Sequence, residues 1–140
     1  MILETIHDPR DIKTLNDSQT QLLCTELREF LLKNVSKTGG HLASNLGAVE
    51  LTVAIHRVFD TSRDRLVFDV GHQCYTHKIL TGPREQFSSL PQYCRLSGFP
   101  QPRESGHDAF IAGHASNSVS VALGLDLART LPPQDYSVLA

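Results

Sequence analysis

The spacing of apolar residues predicts two amphipathic helices in the first 60 residues of the chain. After Ser18, apolar side chains recur every three or four positions, at Leu23, Leu27, Phe30, Leu31 and Val35. This rhythm places them on one face of a helix, which the Gly39–Gly40 pair should end. A second helix is predicted from Ala48 to Phe59, and its apolar positions are Leu51, Ala54, Ile55, Val58 and Phe59.

Two short apolar runs predict the strands of a parallel sheet. Leu66–Val70 ends at Gly71 and has the length and composition of a strand that is buried on both faces. Tyr136–Ala140 is the second such run. Strands separated by helices predict an α/β fold, in which a partial parallel sheet is flanked by helices.

Two more helices are predicted between these strands. The first begins near Tyr75 and stops at Thr81. The second opens at Ser116–Ser118 and ends before Pro132, and its apolar face consists of Val119, Ala122, Leu123 and Leu127. We expect residues 1–17 to be irregular and residues 84–112, which contain many proline and glycine breaks, to form a long loop with short helical pieces.

Composition narrows the possible function classes. A chain of 140 residues corresponds to about one domain, and 40% hydrophobic with 20% charged residues is ordinary for a globular protein. A net charge of −2 without a basic patch argues against nucleic acid or membrane as a partner. No apolar stretch reaches the ~20 residues of a membrane helix, and the first residues do not resemble a signal peptide. Three cysteines without a pairing pattern indicate reduced thiols, so we expect a cytoplasmic protein.

Three glycine–histidine turns are the candidate chemistry of this sequence. The most informative is Gly113–His114–Ala115, because a predicted helix follows at once and opens with the cap residues Ser116, Asn117 and Ser118. Glycine allows a sharp turn, and the free backbone N–H groups of a helix N-terminus favour an anion such as phosphate. The alternative is a plain capped helix whose histidine is a packing residue.

The other two turns are weaker signals by themselves. Gly71–His72 lies at the C-terminal end of a predicted parallel strand, which is where open α/β sheets bind ligands. A loop histidine bonded to the backbone explains this turn as well. His41, which follows the glycine pair, is by itself most simply a surface turn residue.

Three further polar groups are ambiguous. The segment His72–His77, which includes Cys74, lacks a fourth ligand with recognisable pairing and does not predict a zinc site. Glu50 and His56 are expected on a solvated or helix-pairing face. The polar stretch Pro102–Asp108 is either a mobile active-site loop or an ordinary surface connection.

Taken together, these segments resemble the 1-deoxy-D-xylulose-5-phosphate synthase family. The likeness follows the chain in order, through residues 35–47, 49–56, 69–73, 77–82, 96–100 and 113–120. A single Gly–His pair carries no information, whereas this ordered set is highly specific.

The resemblance implies the N-terminal part of a thiamine-diphosphate-binding, transketolase-like domain in a longer, homodimeric enzyme. That enzyme joins pyruvate to glyceraldehyde 3-phosphate with loss of carbon dioxide, and its product feeds isoprenoid and thiamine synthesis. By position, His72 and the turn Gly113, His114 and Ala115 correspond to cofactor contacts. His41 corresponds to a catalytic histidine that assists proton transfer.

Two departures from the family change what this chain is expected to do. Ala115 stands where the family often has serine, so a hydroxyl contact is lost. The family's Gly-Asp-Gly motif carries the Mg²⁺ that bridges the diphosphate, and it is expected just after the strand that begins near Tyr136. Residues 1–140 are therefore expected to stop before that motif, with the metal ligands outside this chain. A transketolase-type fragment and a non-catalytic α/β module that binds an anion or a partner chain stay open as alternatives.

We predict that the isolated 140-residue chain forms no deoxyxylulose phosphate. In the family, a glutamate of the second domain activates the cofactor ring, and we expect both this glutamate and the metal motif to lie outside residues 1–140. Each contributes several kcal/mol to catalysis in sites of this kind. Purified chain is incubated with pyruvate, glyceraldehyde 3-phosphate, Mg²⁺ and thiamine diphosphate, and the product is measured by mass spectrometry. Turnover clearly above that of a sample without protein would contradict the prediction.

Overall fold

The computed structural model describes residues 1–82, 84–89, 96–131 and 133–140. Within these ranges the helices are α1 (Asp17–Thr38), α2 (Leu42–Gly47), α3 (Val49–Val58), α4 (Tyr75–Thr81) and α5 (Ser118–Ala128). The strands are β1 (Arg65–Leu66) and β2 (Val138–Leu139). Short 3₁₀ helices span Leu3–Thr5, Pro9–Thr14 and Arg84–Ser89. Cys94 and Pro132 lie outside the described residues.

The two strands pair in parallel and confirm the α/β class. Arg65 is opposite Val138, and Leu66 is opposite Leu139. The backbone N–H of Val67 donates to the carbonyl of Leu139 at 2.8 Å, so the pairing continues one residue beyond β1. Both strands are shorter than predicted, and α5 lies between them in the chain. The sheet is small, and most of the core is formed by helices.

Helix α1 is the longest element and forms much of the core. Asn16 caps its start, because its side chain accepts from the N–H of Gln19 while the Gln19 side chain accepts from the N–H of Asn16, each at 2.9 Å. Gly39 ends the helix with a φ of +79°, which favours glycine. The predicted apolar face is confirmed, since its aliphatic members are buried: Leu23, Leu27, Leu31 and Val35.

The N-terminal residues are more ordered than expected. Leu3, Ile6 and Ile12 are buried in the core. The buried carboxylate of Glu26 on α1 accepts from the backbone N–H groups of Ile2 at 3.1 Å and Leu3 at 2.7 Å. The Glu26 carboxylate thus satisfies backbone N–H groups at the start of the chain that have no helix or strand partner among the described residues.

The buried faces of α3 and α5 differ from those predicted. Helix α3 buries Val49, Thr52, Val53 and His56. Leu51 and Val58, which were predicted to face the core, are 64% and 70% exposed. On α5, the predicted apolar positions Val119, Leu123 and Leu127 are all exposed. Helical spacing determines which residues share a face, but the direction that this face takes depends on neighbouring elements.

His56 is buried and pairs α3 with α4, so of its two predicted settings the helix-pairing face is observed and the solvated face is not. Its Nε2 lies 2.9 Å from His77 Nδ1, and His77 Nε2 lies 3.0 Å from Asp108 Oδ1. Nδ1 of His56 has no hydrogen-bond partner among the described residues. Burial lowers the pKa of His56 to about 3, and the nearby His77, His107 and Lys13 act in the same direction against Asp60. The other member of the predicted face, Glu50, also pairs helices, because its carboxylate on α3 binds Arg28 of α1.

We predict that the free energy of unfolding decreases as the pH falls below about 6.5. Unfolded histidine binds a proton near that pH, whereas folded His56 stays neutral down to about pH 3, so the unfolded state gains protons first. One such group contributes a slope of about 1.4 kcal/mol per pH unit. The pKa of His107 is also lowered, chiefly by burial, and this adds to the effect.

Urea titrations between pH 7 and pH 5.5 test this prediction, because nearly all carboxylates stay ionised in that range. His56→Gln should flatten the dependence, because the depressed group is removed. His7→Gln is the matched control, since His7 is exposed. Equal slopes for the wild-type chain and His56→Gln would show that buried His56 does not control stability in this range.

Candidate functional site

Two of the three predicted histidine turns meet in the structure. His41 lies at the N-terminal end of α2, directly after the glycine pair, and His72 lies in the turn after β1. Their imidazole rings stack with centroids 3.6 Å apart and planes 18° from parallel. No hydrogen bond among the described residues uses a ring nitrogen of His41 or His72. The pair therefore presents free imidazole nitrogens beside the C-terminal end of a strand, where α/β folds bind ligands.

Asn45, which was not predicted as a site residue, joins the two turns. Its side chain is fully buried, and its amide nitrogen donates to the carbonyls of His41 at 2.7 Å and His72 at 2.6 Å. Its amide oxygen accepts from the backbone N–H of Tyr75 at 2.8 Å. The one available sequence signal is its position four residues after His41 in a short helix, where an asparagine amide can return to that carbonyl.

Tyr75 supports the same arrangement from the start of α4. Its buried hydroxyl accepts a hydrogen bond from the backbone N–H of His41, and burial, the larger effect, raises the pKa of this phenol. Gly40 has a φ of +134°, and a Cβ there would lie 2.8 Å from the Tyr75 hydroxyl oxygen. The close approach explains why glycine precedes His41.

Gly71 allows the second turn to pack closely against two other segments. Its φ is +87°, and a Cβ there would lie 2.9 Å from Pro100 Cδ and 3.0 Å from Ala112 Cβ. The ring of Phe99 lies 5.6 Å from that of His72, measured between centroids. The His72 ring therefore contacts two other rings, that of His41 just before α2 and that of Phe99.

The third turn is joined to the second by Asp69. Its carboxylate accepts from the backbone N–H of Ser116 at 2.9 and 3.0 Å and from the hydroxyl of Ser118 at 2.7 Å. These bonds hold the pKa of Asp69 below its usual range. The helix that follows is therefore capped by Asp69 from outside, and the predicted local cap is wrong because Asn117, the residue before α5, makes no side-chain cap bond.

The turn itself is exposed and has unused donors. Gly113 has a φ of +152°, and His114 and Ala115 are exposed. No hydrogen bond among the described residues uses the backbone N–H of Gly113, His114 or Ala115. The Asp69 contacts bring this turn to the same edge of the sheet as the His72 turn, as parallel topology predicts.

Backbone strain is concentrated at this junction. Val70 has a φ of +56° and Ser116 a φ of +66°, and both are non-glycine residues in the left-handed region. For a β-branched residue such as Val70 this conformation is a true outlier, which costs of order 1–3 kcal/mol. Such strain persists only where surrounding contacts hold it, and it is typical of binding sites.

Other candidate chemistries find no support among the described residues. Burial raises the pKa of the Cys74 thiol to about 12, and its sulfur lies 3.6 Å from the carbonyl oxygen of Gly98, so it is not a reactive thiolate. In the described ranges no cluster of histidine, cysteine and acidic residues has the arrangement of a metal site. None of the helices there is long and apolar enough to cross a membrane.

Comparisons with known proteins agree on one family. The family described as 1-deoxy-D-xylulose-5-phosphate synthase matches residues 3–140. The protein of that name from Syntrophomonas wolfei is 56% identical over 139 residues, which are 99% of this chain and 22% of the relative. The protein of the same name from Alkaliphilus oremlandii is 54% identical over 138 residues, which are 99% of this chain and 22% of the relative. The namesake from Brevibacillus brevis is 52% identical over 140 residues, 100% of this chain and 22% of its own. The chain thus spans about a fifth of the length of the curated relatives it matches.

We predict that Asn45→Asp destabilises the chain by about 2 kcal/mol or more. A carboxylate loses both N–H donors and places an oxygen against the buried carbonyls of His41 and His72. Asn34→Asp is the matched control, because the Asn34 amide is half-buried and donates to a single carbonyl, that of Phe30. Urea unfolding at pH 7 measures both, and an equal or smaller loss for Asn45→Asp would disprove its role as a clamp.

Proposed function

The chain belongs to the 1-deoxy-D-xylulose-5-phosphate synthase family, and on this premise we propose that it forms part of a thiamine-diphosphate enzyme. The complete enzyme condenses pyruvate with glyceraldehyde 3-phosphate, releases carbon dioxide and forms 1-deoxy-D-xylulose 5-phosphate. Residues 1–140 are the N-terminal part of its diphosphate-binding domain. The observation that carries the proposal is the stacked pair of His41 and His72, held by Asn45 beside the Gly113–Ala115 turn.

The cofactor contacts are assigned to His72, Gly113, His114 and Ala115. The backbone N–H groups of the Gly113–Ala115 turn are unused within the described residues, and both histidines can donate to an anion. The Asp69 carboxylate already occupies the N–H of Ser116, so its negative charge keeps an anion away from the first turn of α5. The diphosphate would therefore bind to the Gly113–Ala115 turn and the imidazoles, with Mg²⁺ supplied by ligands outside this chain.

His41 is assigned to proton transfer with the substrate. Its backbone is held by Tyr75 and Asn45, while its exposed ring has no hydrogen-bond partner among the described residues. A positioned imidazole with a free nitrogen can act as a general acid or base. Thiamine diphosphate, when bound, supplies the carbon nucleophile and the electron sink for a keto acid.

Two further features support a larger, cytoplasmic enzyme. The apolar side chains of Val119, Leu123 and Leu127 on α5 are exposed, which favours cover by another layer of protein, and we propose a homodimer. Cys24 and Cys74 are free thiols in the described part of the chain, as is usual in a reducing compartment.

A chimaeric enzyme tests the proposed reaction. Residues 1–140 replace the matching segment of the Syntrophomonas wolfei relative, with which this chain shares 56% identity. We expect this chimaera to form 1-deoxy-D-xylulose 5-phosphate in the presence of Mg²⁺ and thiamine diphosphate. A folded chimaera that binds an anion but forms no product would favour the non-catalytic module.

We predict that His41→Ala in the chimaera lowers kcat/KM by about 10²-fold or more, as is usual for loss of a proton-transfer group. Affinity for thiamine diphosphate should change little, because His41 is assigned to the substrate side. His7→Ala is the control, since His7 is an exposed histidine outside the site. An unchanged rate, or a loss explained wholly by weaker cofactor binding, would contradict the assignment.

A further inference from the structure

The segment of residues 97–108 is attached to α4 by buried and half-buried charged side chains. Asp108 is 4% exposed, and it accepts from His77 Nε2 at 3.0 Å and from the backbone N–H of Gln101 at 2.7 Å. Lys78 Nζ lies 2.8 Å from Glu104 Oε2 and 3.9 Å from Asp108 Oδ2. The other oxygen of Glu104 accepts from the backbone N–H of Ser97 at 2.9 Å. Two carboxylates of this segment are thus bound to neighbouring residues of one helix.

The same segment supports the site. Phe99 packs against His72, and Pro100 packs so closely against Gly71 that a Cβ there would lie 2.9 Å from it. Beyond Asp108 the chain reaches Ala112, which also contacts Gly71. A shift of this segment would therefore move His72 or open a gap beside it.

Two buried histidines, His77 and His56, continue the hydrogen bonds that begin at Asp108. Asp108 lacks a proton, because bonds from His77 and Gln101 outweigh the effect of burial, which by itself would raise the pKa of this carboxyl. Because a carboxylate only accepts, His77 donates to it from Nε2, and its Nδ1 shares a hydrogen bond with Nε2 of His56. Nδ1 of His56, at the far end of this row of side chains from Asp108, has no partner among the described residues.

We propose that Asp108 is a positioning residue for His72: through His77 and His56, it holds the 97–108 segment against the cofactor side of the site. The inference depends on the proposed function in so far as His72 contacts the cofactor. Asp108 touches neither histidine of the stacked pair, and its effect is transmitted by Phe99 and Pro100. On this proposal, the polar stretch of residues 102–108 acts as a fixed support beside the site, with Asp108 as its buried anchor.

A structural carboxylate elsewhere in the chain provides a matched control. Asp64 is 2% exposed and also accepts from two groups, the backbone N–H of Asp60 at 2.8 Å and that of Ser137 at 2.8 Å. It lies before β1, whereas the site lies after it. Asp64→Asn and Asp108→Asn should both lower stability, but only Asp108→Asn should change His72.

Nuclear magnetic resonance of this chain, labelled with ¹⁵N in its histidines, tests the structural half of the proposal. For Asp108→Asn we expect changed ring nitrogen signals for His77 and His56, and weaker cross-relaxation between the rings of His72 and Phe99. For Asp64→Asn these signals should match the wild-type chain. The proposal is overturned if His72 is unchanged in Asp108→Asn or if both variants change it equally. If Asp108→Asn does not fold, His77→Gln replaces it, because it removes the imidazole that Asp108 binds, and an unchanged His72 in that variant also overturns the proposal.

The chimaeric enzyme tests the functional half. Asp108→Asn should raise the Kd of thiamine diphosphate by about 10-fold, as loss of a supporting contact commonly does, with a much smaller change in kcat at saturating cofactor. Asp64→Asn should leave this Kd unchanged. A lower kcat with an unchanged Kd, or equal effects of both variants, would overturn the proposal. An inactive wild-type chimaera would refute the proposed function instead, and the resonance measurements on His72 would still decide whether Asp108 positions it.

Discussion

The side-chain amide of Asn45 is the contact on which the arrangement of the site depends. It donates to one carbonyl from each of two separate turns and accepts from the N–H that begins α4. Because it is fully buried, each of these bonds forms without competition from water, and loss of any would leave a polar group without a partner. The stacking of His41 on His72 follows from this amide, since it joins the backbones that carry both rings.

Carboxylate side chains bind irregular segments of the backbone at several other places. Glu26 holds the first residues, Asp64 joins the segment before β1 to that before β2, Asp69 joins two turns, and Asp108 holds the segment beside the site. Each is a side chain that accepts from backbone N–H groups of an irregular segment. A sheet of two short strands satisfies few backbone groups, so buried polar side chains must satisfy the rest. The fold is therefore held by hydrogen bonds that connect segments distant in sequence, as well as by its apolar core.

This construction suits a binding site. Strained conformations at Val70 and Ser116 lie on either side of the Asp69 contact, and glycines with positive φ precede His41, His72 and His114. Such backbone persists only where several contacts hold it at once. The ring nitrogens of His41 and His72 and the N–H groups of the Gly113–Ala115 turn stay without partners among the described residues. Preorganised groups of this kind bind an anion without the cost of ordering it at the moment of binding.

The order of residues is enough to predict the family, the α/β class, the buried stripe of α1 and the glycine–histidine turns at the ends of elements. These features are local, because each depends on spacing within one element or on a motif of a few residues. Three features are visible only in the folded chain: α3 buries His56 and exposes Leu51, Asp69 binds the start of α5, and Asn45 joins two of the turns. Periodicity shows which residues share a face, but the partners that matter here lie far away in the sequence: 21 residues separate His56 from His77, 27 separate Asn45 from His72, and 47 separate Asp69 from Ser116. Such pairings depend on how all the elements pack together.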